Sequence, residues 1–155
     1  MRKLLVAALL LTVNAAPASA EVSFRPVDVY VDAGRVALGA YQVQITYNKA
    51  RIKIAGLEGG ETAAYRDAPY YDSDGLTRGR IVVASFVRKG VSDRNVPSGR
   101  TRVARLHVQV DSRCPEDALR GMTIRLIVAA DMKGRRTRGN ASLIWTNGAG
   151  RETER

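Results

Sequence analysis

The chain has 155 residues, one cysteine, and 25 basic against 15 acidic side chains. That length fits one domain once a leader is removed, and a lone cysteine excludes an intramolecular disulfide as the source of stability. Arginine is spread over nearly every segment and is not gathered into one helix or interleaved with aromatics, so the charge reads as solvated surface and not as a nucleic-acid interface.

Met1-Arg2-Lys3 is basic, Leu4 to Val13 is apolar and Ala18-Ser19-Ala20 is a small-x-small step, the order found in a secretory signal peptide cleaved after residue 20. The apolar run is shorter than the roughly 20 residues that cross a bilayer, and no later segment reads as a membrane span. The expected product is an exported bacterial protein, periplasmic or extracellular. It comprises one domain over 21–147 and a short flexible tail over 148–155. Loss of Arg2 and Lys3 leaves 23 basic and 15 acidic residues, a formal charge of about +8.

In chain order, Val27, Val29 and Val31 alternate with Asp28, Tyr30 and Asp32 before Ala33-Gly34, which predicts a first strand closed by a turn. Tyr41, Val43, Ile45 and Tyr47 alternate with Gln42, Gln44 and Thr46, the pattern of a half-buried strand. After Asn48-Lys49-Ala50 the alternation resumes over Arg51 to Leu57. Between Glu61 and Arg78 periodicity disappears, which predicts a long surface loop with room for one helical turn. Arg80 to Val87 is apolar on both faces, as in a strand within a sheet. Arg88 to Gly99 reads as a second loop.

Arg100 to Val110 predicts a long strand with Ala104, Leu106, Val108 and Val110 inward and Thr101, Arg105, His107 and Gln109 outward. Asp111 to Gly121 reads as a loop with a helical turn starting at Pro115. Met122, Ile124, Leu126 and Val128 mark another strand, Lys133 to Gly139 a basic solvated turn, and Ser142 to Thr146 a last strand. At least seven strands with no amphipathic helix predict an all-β sandwich of seven to nine strands.

Few residues offer chemistry. The Tyr-rich loop brings Tyr65, Tyr70, Tyr71, Asp72 and Asp74 within ten positions, and flat rings with hydroxyl handles are a means of gripping sugars or partner chains; the alternative is that at least one ring closes the core. Asp72-Ser73-Asp74-Gly75 has the opening spacing of a calcium loop, but the downstream acid is not at the required distance, so turn chemistry is favoured and no cofactor is expected. His107 on a polar strand face reads as an exposed spectator, Cys114 as a small buried residue, and Trp145 as a core or edge plug. Acid pairs such as Glu58 with Glu61 sit in turns without a supporting base, which argues against an enzyme.

The succession Asp32-Ala33-Gly34, Gly39-Ala40-Tyr41, Ile45-Thr46-Tyr47-Asn48 resembles the N-terminal half of a cohesin-like domain, with Asn48 where that family carries Asp. Gly79 to Phe86 and Ser98 to Val108 resemble two later glycine-led strands of the same family. The resemblance implies a jelly-roll or immunoglobulin-like β-sandwich related to carbohydrate-binding modules, and a non-catalytic role in binding a protein. A flat sheet face such as Gln42, Gln44 and Thr46, or Arg105, His107 and Gln109, would serve a protein partner. The alternative is a polysaccharide held by the loop 61–78, which would need exposed aromatics.

Overall fold

The computed structural model describes residues 21–147 and 151–155; the expected signal peptide at 1–20 and part of the expected tail lie outside the described residues. Among the described residues nine strands occur: β1 (Val22–Asp32), β2 (Ala40–Thr46), β3 (Ile52–Gly59), β4 (Tyr70–Tyr71), β5 (Arg80–Phe86), β6 (Arg100–Asp111), β7 (Thr123–Ala130), β8 (Asn140–Thr146) and β9 (Glu152–Glu154). Two short helices, α1 (Gly75–Arg78) and α2 (Pro115–Arg120), interrupt them. The strands form two antiparallel sheets, one ordered β3-β6-β1-β8-β9 and the other β4-β5-β2-β7. The all-β sandwich expected from the alternation is therefore the architecture. Although β2 and β3 are close in sequence they do not pair: the chain between them crosses from one sheet to the other.

The core lies between the sheets. Val27, Val29 and Val31 of β1, Leu106 and Val108 of β6 and Leu143 of β8 face Val43 and Ile45 of β2 and Ile81 and Val83 of β5, all buried. Each such side chain contributes about 1.5–3 kcal/mol relative to exposure, and no disulfide supplements this burial. Trp145 is buried as well, and its Nε1 donates to Glu116 Oε2 at 3.2 Å, tying α2 to β8.

Three buried tyrosines fasten connecting segments to this core. Tyr41 Oη donates to the Val103 carbonyl at 3.2 Å, Tyr47 Oη to that of Gly75 at 2.7 Å, and Tyr65 Oη to that of Leu38 at 2.5 Å. Tyr41 and Tyr65 also meet edge to face, with centroids 5.4 Å apart, a favoured aromatic geometry. At one end, Gly34 (φ +62°) and Gly99 (φ +72°) bring the exit of β1 against the entry of β6, the Gly99 amide donating to the Gly34 carbonyl. Both turns need the left-handed backbone that a side chain disfavours.

Three strands carry a bulge, where one residue has no partner in the register: Ala55 in β3, Val103 in β6 and Ile127 in β7. Each shifts the alternation by one position, because side chains change face every residue. This corrects two assignments. Thr101, expected outward, is 3% exposed, because the bulge at Val103 puts Thr101 and Val103 inward ahead of Ala104 and Leu106. Val128, expected inward, stands beside Gln42 on the outer side of its sheet.

Other differences concern ends. β1 starts at Val22, five residues earlier than the valine alternation indicates; Pro26 lies within it, on a stretch that β6 borders on one side and β8 reaches only from Asp28 onward. Proline is tolerated on such an edge. Residues 152–154, expected to fray, pair with β8 as β9, and Arg155 exchanges backbone hydrogen bonds with Leu143. Cys114, expected to be buried, is exposed: it precedes Pro115 at the start of α2, on the outside of the turn leaving β6.

Candidate functional site

The outer face of the four-stranded sheet is where exposed apolar side chains converge. Strand alternation sends Ile81 and Val83 of β5 into the core and leaves Val82, Ala84 and Phe86 facing out. The two-residue strand β4 sets Tyr70 opposite Ala84, β5 sets Ala84 opposite Gln42, and the bulged β7 sets Gln42 opposite Val128. These four side chains therefore stand in one row across the sheet. Phe86 and Ala40 are paired in the row beside it. Tyr70 and Phe86 lie with near-parallel rings, centroids 5.7 Å apart and planes 4° apart, yet they are 61% and 53% exposed. Together with Ala40, Gln42, Ala84 and Val128 they line an open depression of about 380 Å³.

The electrostatics of this face are one-sided. β2, β4, β5 and β7 contain no Asp or Glu. They contain two arginines: Arg80, whose Nη1 reaches Gln44 Oε1 at 3.5 Å, and Arg125, paired in register with Gln44. Both stand toward the polar end of the face, where Gln44, Thr46 and Thr123 replace the apolar row.

The outer face of the five-stranded sheet is arranged differently. Arg105 grips Asp28 with two hydrogen bonds, Nε at 2.5 Å and Nη2 at 2.9 Å, and Arg102 Nη1 lies 3.8 Å from the same carboxylate. Glu58 reaches Arg105 at 3.7 Å and His107 Nε2 at 3.3 Å. Arg100 lies over the Tyr30 ring at 4.4 Å and pairs with Glu154 at 2.9 Å. The hydrogen bond from Arg105 to Asp28 holds the guanidinium above its usual range. Here the cations are spent on the protein's own carboxylates, so the strip of Arg105, His107 and Gln109 is less free to meet a partner than the face bearing Gln42 and Gln44.

The five residues singled out in the Tyr-rich loop part company. Tyr65 is 1% exposed and belongs to the core, its hydroxyl committed to Leu38; burial raises its pKa. It is thus corrected from a candidate ligand residue to a core residue. Tyr70 reaches the sheet face described above. Tyr71 is 38% exposed and pairs with Val83. Asp72 Oδ1 accepts from the Asp74 amide at 3.1 Å, and the Asp72 carbonyl accepts from Gly75, so the acidic pair shapes the entry to α1. Asp74 is bound to Arg78 at 2.5 Å, one turn on. Sequence reasoning did not single out Phe86, Val128 or Arg125. Phe86 has a visible signal, an aromatic at an outward strand position; Val128 has none, because its orientation depends on the bulge.

Compared with known proteins, the chain matches no family model, no curated protein and no solved structure.

Proposed function

We propose that the protein is an exported, non-catalytic binding module of cohesin-like type that recognises a protein partner with the outer face of its four-stranded sheet. The observation that carries this reading is the exposed Tyr70–Phe86 pair on a sheet face that lacks carboxylates. Exposed large apolar groups clustered on one flat surface mark contact sites, and aromatic residues at the centre of such a surface supply most of the binding energy. Arg80 and Arg125 on the same face add a preference for a partner with acidic groups around an apolar anchor. Residues of the face sit on strands, so the surface is held ready and little ordering is needed on association.

A second reading is supported by the same ring pair: an exposed aromatic platform also suits the apolar face of a sugar ring, and the ligand would then be a polysaccharide. One set of variants separates the two. The mature protein, Tyr70→Ala/Phe86→Ala and the control Arg94→Gln would be immobilised and exposed to exported proteins and to a glycan array. The protein reading requires a captured protein that binds again when purified, is lost with the double variant and is kept by the control. Retention of a glycan with the same pattern supports the second reading. Equal binding by all three variants removes the sheet face from either.

A further inference from the structure

We infer that the opposite end of the sandwich carries a second, independent binding site, for a polyanion. The connection from β2 to β3 and the turn from β6 to α2 form the two walls of an open cleft of about 520 Å³, within the roughly 300–1,000 Å³ range of ligand sites. Lys49, Arg51, Lys53 and Arg113 line it, with Asp111 as its one carboxylate.

The carboxylate is committed first to Arg113 and attracts Arg51 only weakly. Asp111 accepts from the Arg113 amide and Nε, both at 2.9 Å, and from Arg113 Nη2 at 2.5 Å. Those bonds satisfy Asp111 and Arg113 with each other. Among the described residues no carboxylate lies in ion-pair contact with Lys49, Arg51 or Lys53; Arg80, Arg125 and Arg136 are likewise without one, and what sets Lys49, Arg51 and Lys53 apart is that they line a single cleft. Three like charges on one wall repel each other unless an anion lies between them.

The wall that carries them is fixed. Asn48 Oδ1 accepts from the Ala50 amide at 3.0 Å, and the Asn48 carbonyl accepts from the amides of Arg51 and Ile52 at 2.9 Å. Lys53 then stands on the outer side of β3, in register with Gln109 of β6 and, beyond it, Phe24 of β1. A tight turn and a strand thus present three cations along one edge, while Ile52 between them is buried. One oxyanion would engage only part of such a row. A chain with repeated negative groups, phosphate or carboxylate, would engage all of it.

The site is tested on the mature protein with two soluble probes, inorganic tripolyphosphate and oligogalacturonate, by calorimetry. At least one is expected to bind at about 0.05 M salt and to weaken about tenfold or more at about 0.3 M, where screening shortens the reach of exposed charges. Lys49→Gln/Arg51→Gln/Lys53→Gln is expected to lower affinity by up to about 100-fold, taking about fivefold for each exposed pair lost. Lys89→Gln/Arg94→Gln, two exposed cations in the loop from 88 to 99, should stay within about twofold. Which probe binds more tightly separates phosphate from carboxylate chemistry. The inference is overturned if neither probe binds at low salt, or if the triple variant binds as the parent does. It is also overturned if the control loses as much, or if only phosphatidylglycerol vesicles bind, which would point to a lipid surface meeting Phe24.

Discussion

Replacing Tyr65 with Phe should remove one buried hydrogen bond without opening a cavity, and two measurements follow from that. The ring is 1% exposed and packs against Tyr41, while its hydroxyl donates to the Leu38 carbonyl. Losing such a bond costs about 1 kcal/mol, and leaving a buried acceptor without a donor raises the total to about 1–3 kcal/mol. For a domain of this size that lowers Tm by about 4–12 °C. Burial raises the pKa of both Tyr65 and Tyr41 above the usual value near 10. An unfolded tyrosine therefore ionises first as pH rises past 10. The unfolded state then holds fewer protons than the folded one, so stability is constant with respect to these groups below pH 9 and falls above pH 10. Each tyrosine contributes a fall of about 1.4 kcal/mol per pH unit in that window. Tyr65→Phe should accordingly halve the alkaline slope due to the pair, from about 2.7 to about 1.4 kcal/mol per pH unit. Urea titrations followed by the emission of Trp145, the sole tryptophan and a buried one, report both quantities. An unchanged midpoint at neutral pH together with an unchanged slope above pH 10 would refute the argument.

Thr101→Lys should destabilise by about 2 kcal/mol or more, since an ammonium cannot be buried at that position without a partner; a change under about 0.5 kcal/mol in the same titration would place residue 101 outward and remove the bulge at Val103. Asp28→Asn should cost about 1–3 kcal/mol because it strips Arg105 and Arg102 of their shared carboxylate on a partly buried surface, and wild-type stability would show that the cluster is screened by solvent. Cys114 should react in the folded protein as fast as an unhindered thiol, giving one equivalent with a thiol reagent under native conditions; reaction only after urea is added would contradict its exposed placement.

How far the fold was legible depended on segment length and on phase. β2 and the C-terminal half of β6 follow strict alternation for several residues, and both were readable because apolar residues recur every second position. The turn at Pro115 was readable from a proline at the first helical position. β4 and β9 were not, since two or three residues cannot display a period, and both depend on register with a distant strand. Bulges were invisible for a related reason: Ile127 lies between Leu126 and Val128, and Val103 is followed by Ala104, so an extra apolar residue leaves composition little changed while inverting the face of what adjoins it. The candidate surface was half legible. Tyr70 stood out in a loop of tyrosines, but its meeting with Phe86, sixteen positions on, rests on the pairing of β4 with β5. Asp28 read as a spacer between valines, and nothing local announced that it would serve two arginines from β6.

The unpartnered residue in β6 also governs how this chain tolerates length changes. Because Arg102 and Ala104 already pair with the consecutive residues Tyr30 and Val29, removing Val103 would leave an unbroken alternation with Thr101 still inward and Arg102 still outward, at the cost of one buried side chain. A one-codon deletion there should therefore do less harm than deletion of a paired residue such as Arg105, which would turn the residues on one side of the cut to the opposite face. The loop from 88 to 99, anchored at its far end by Gly99 against Gly34, can be lengthened or shortened without altering which way any strand residue faces.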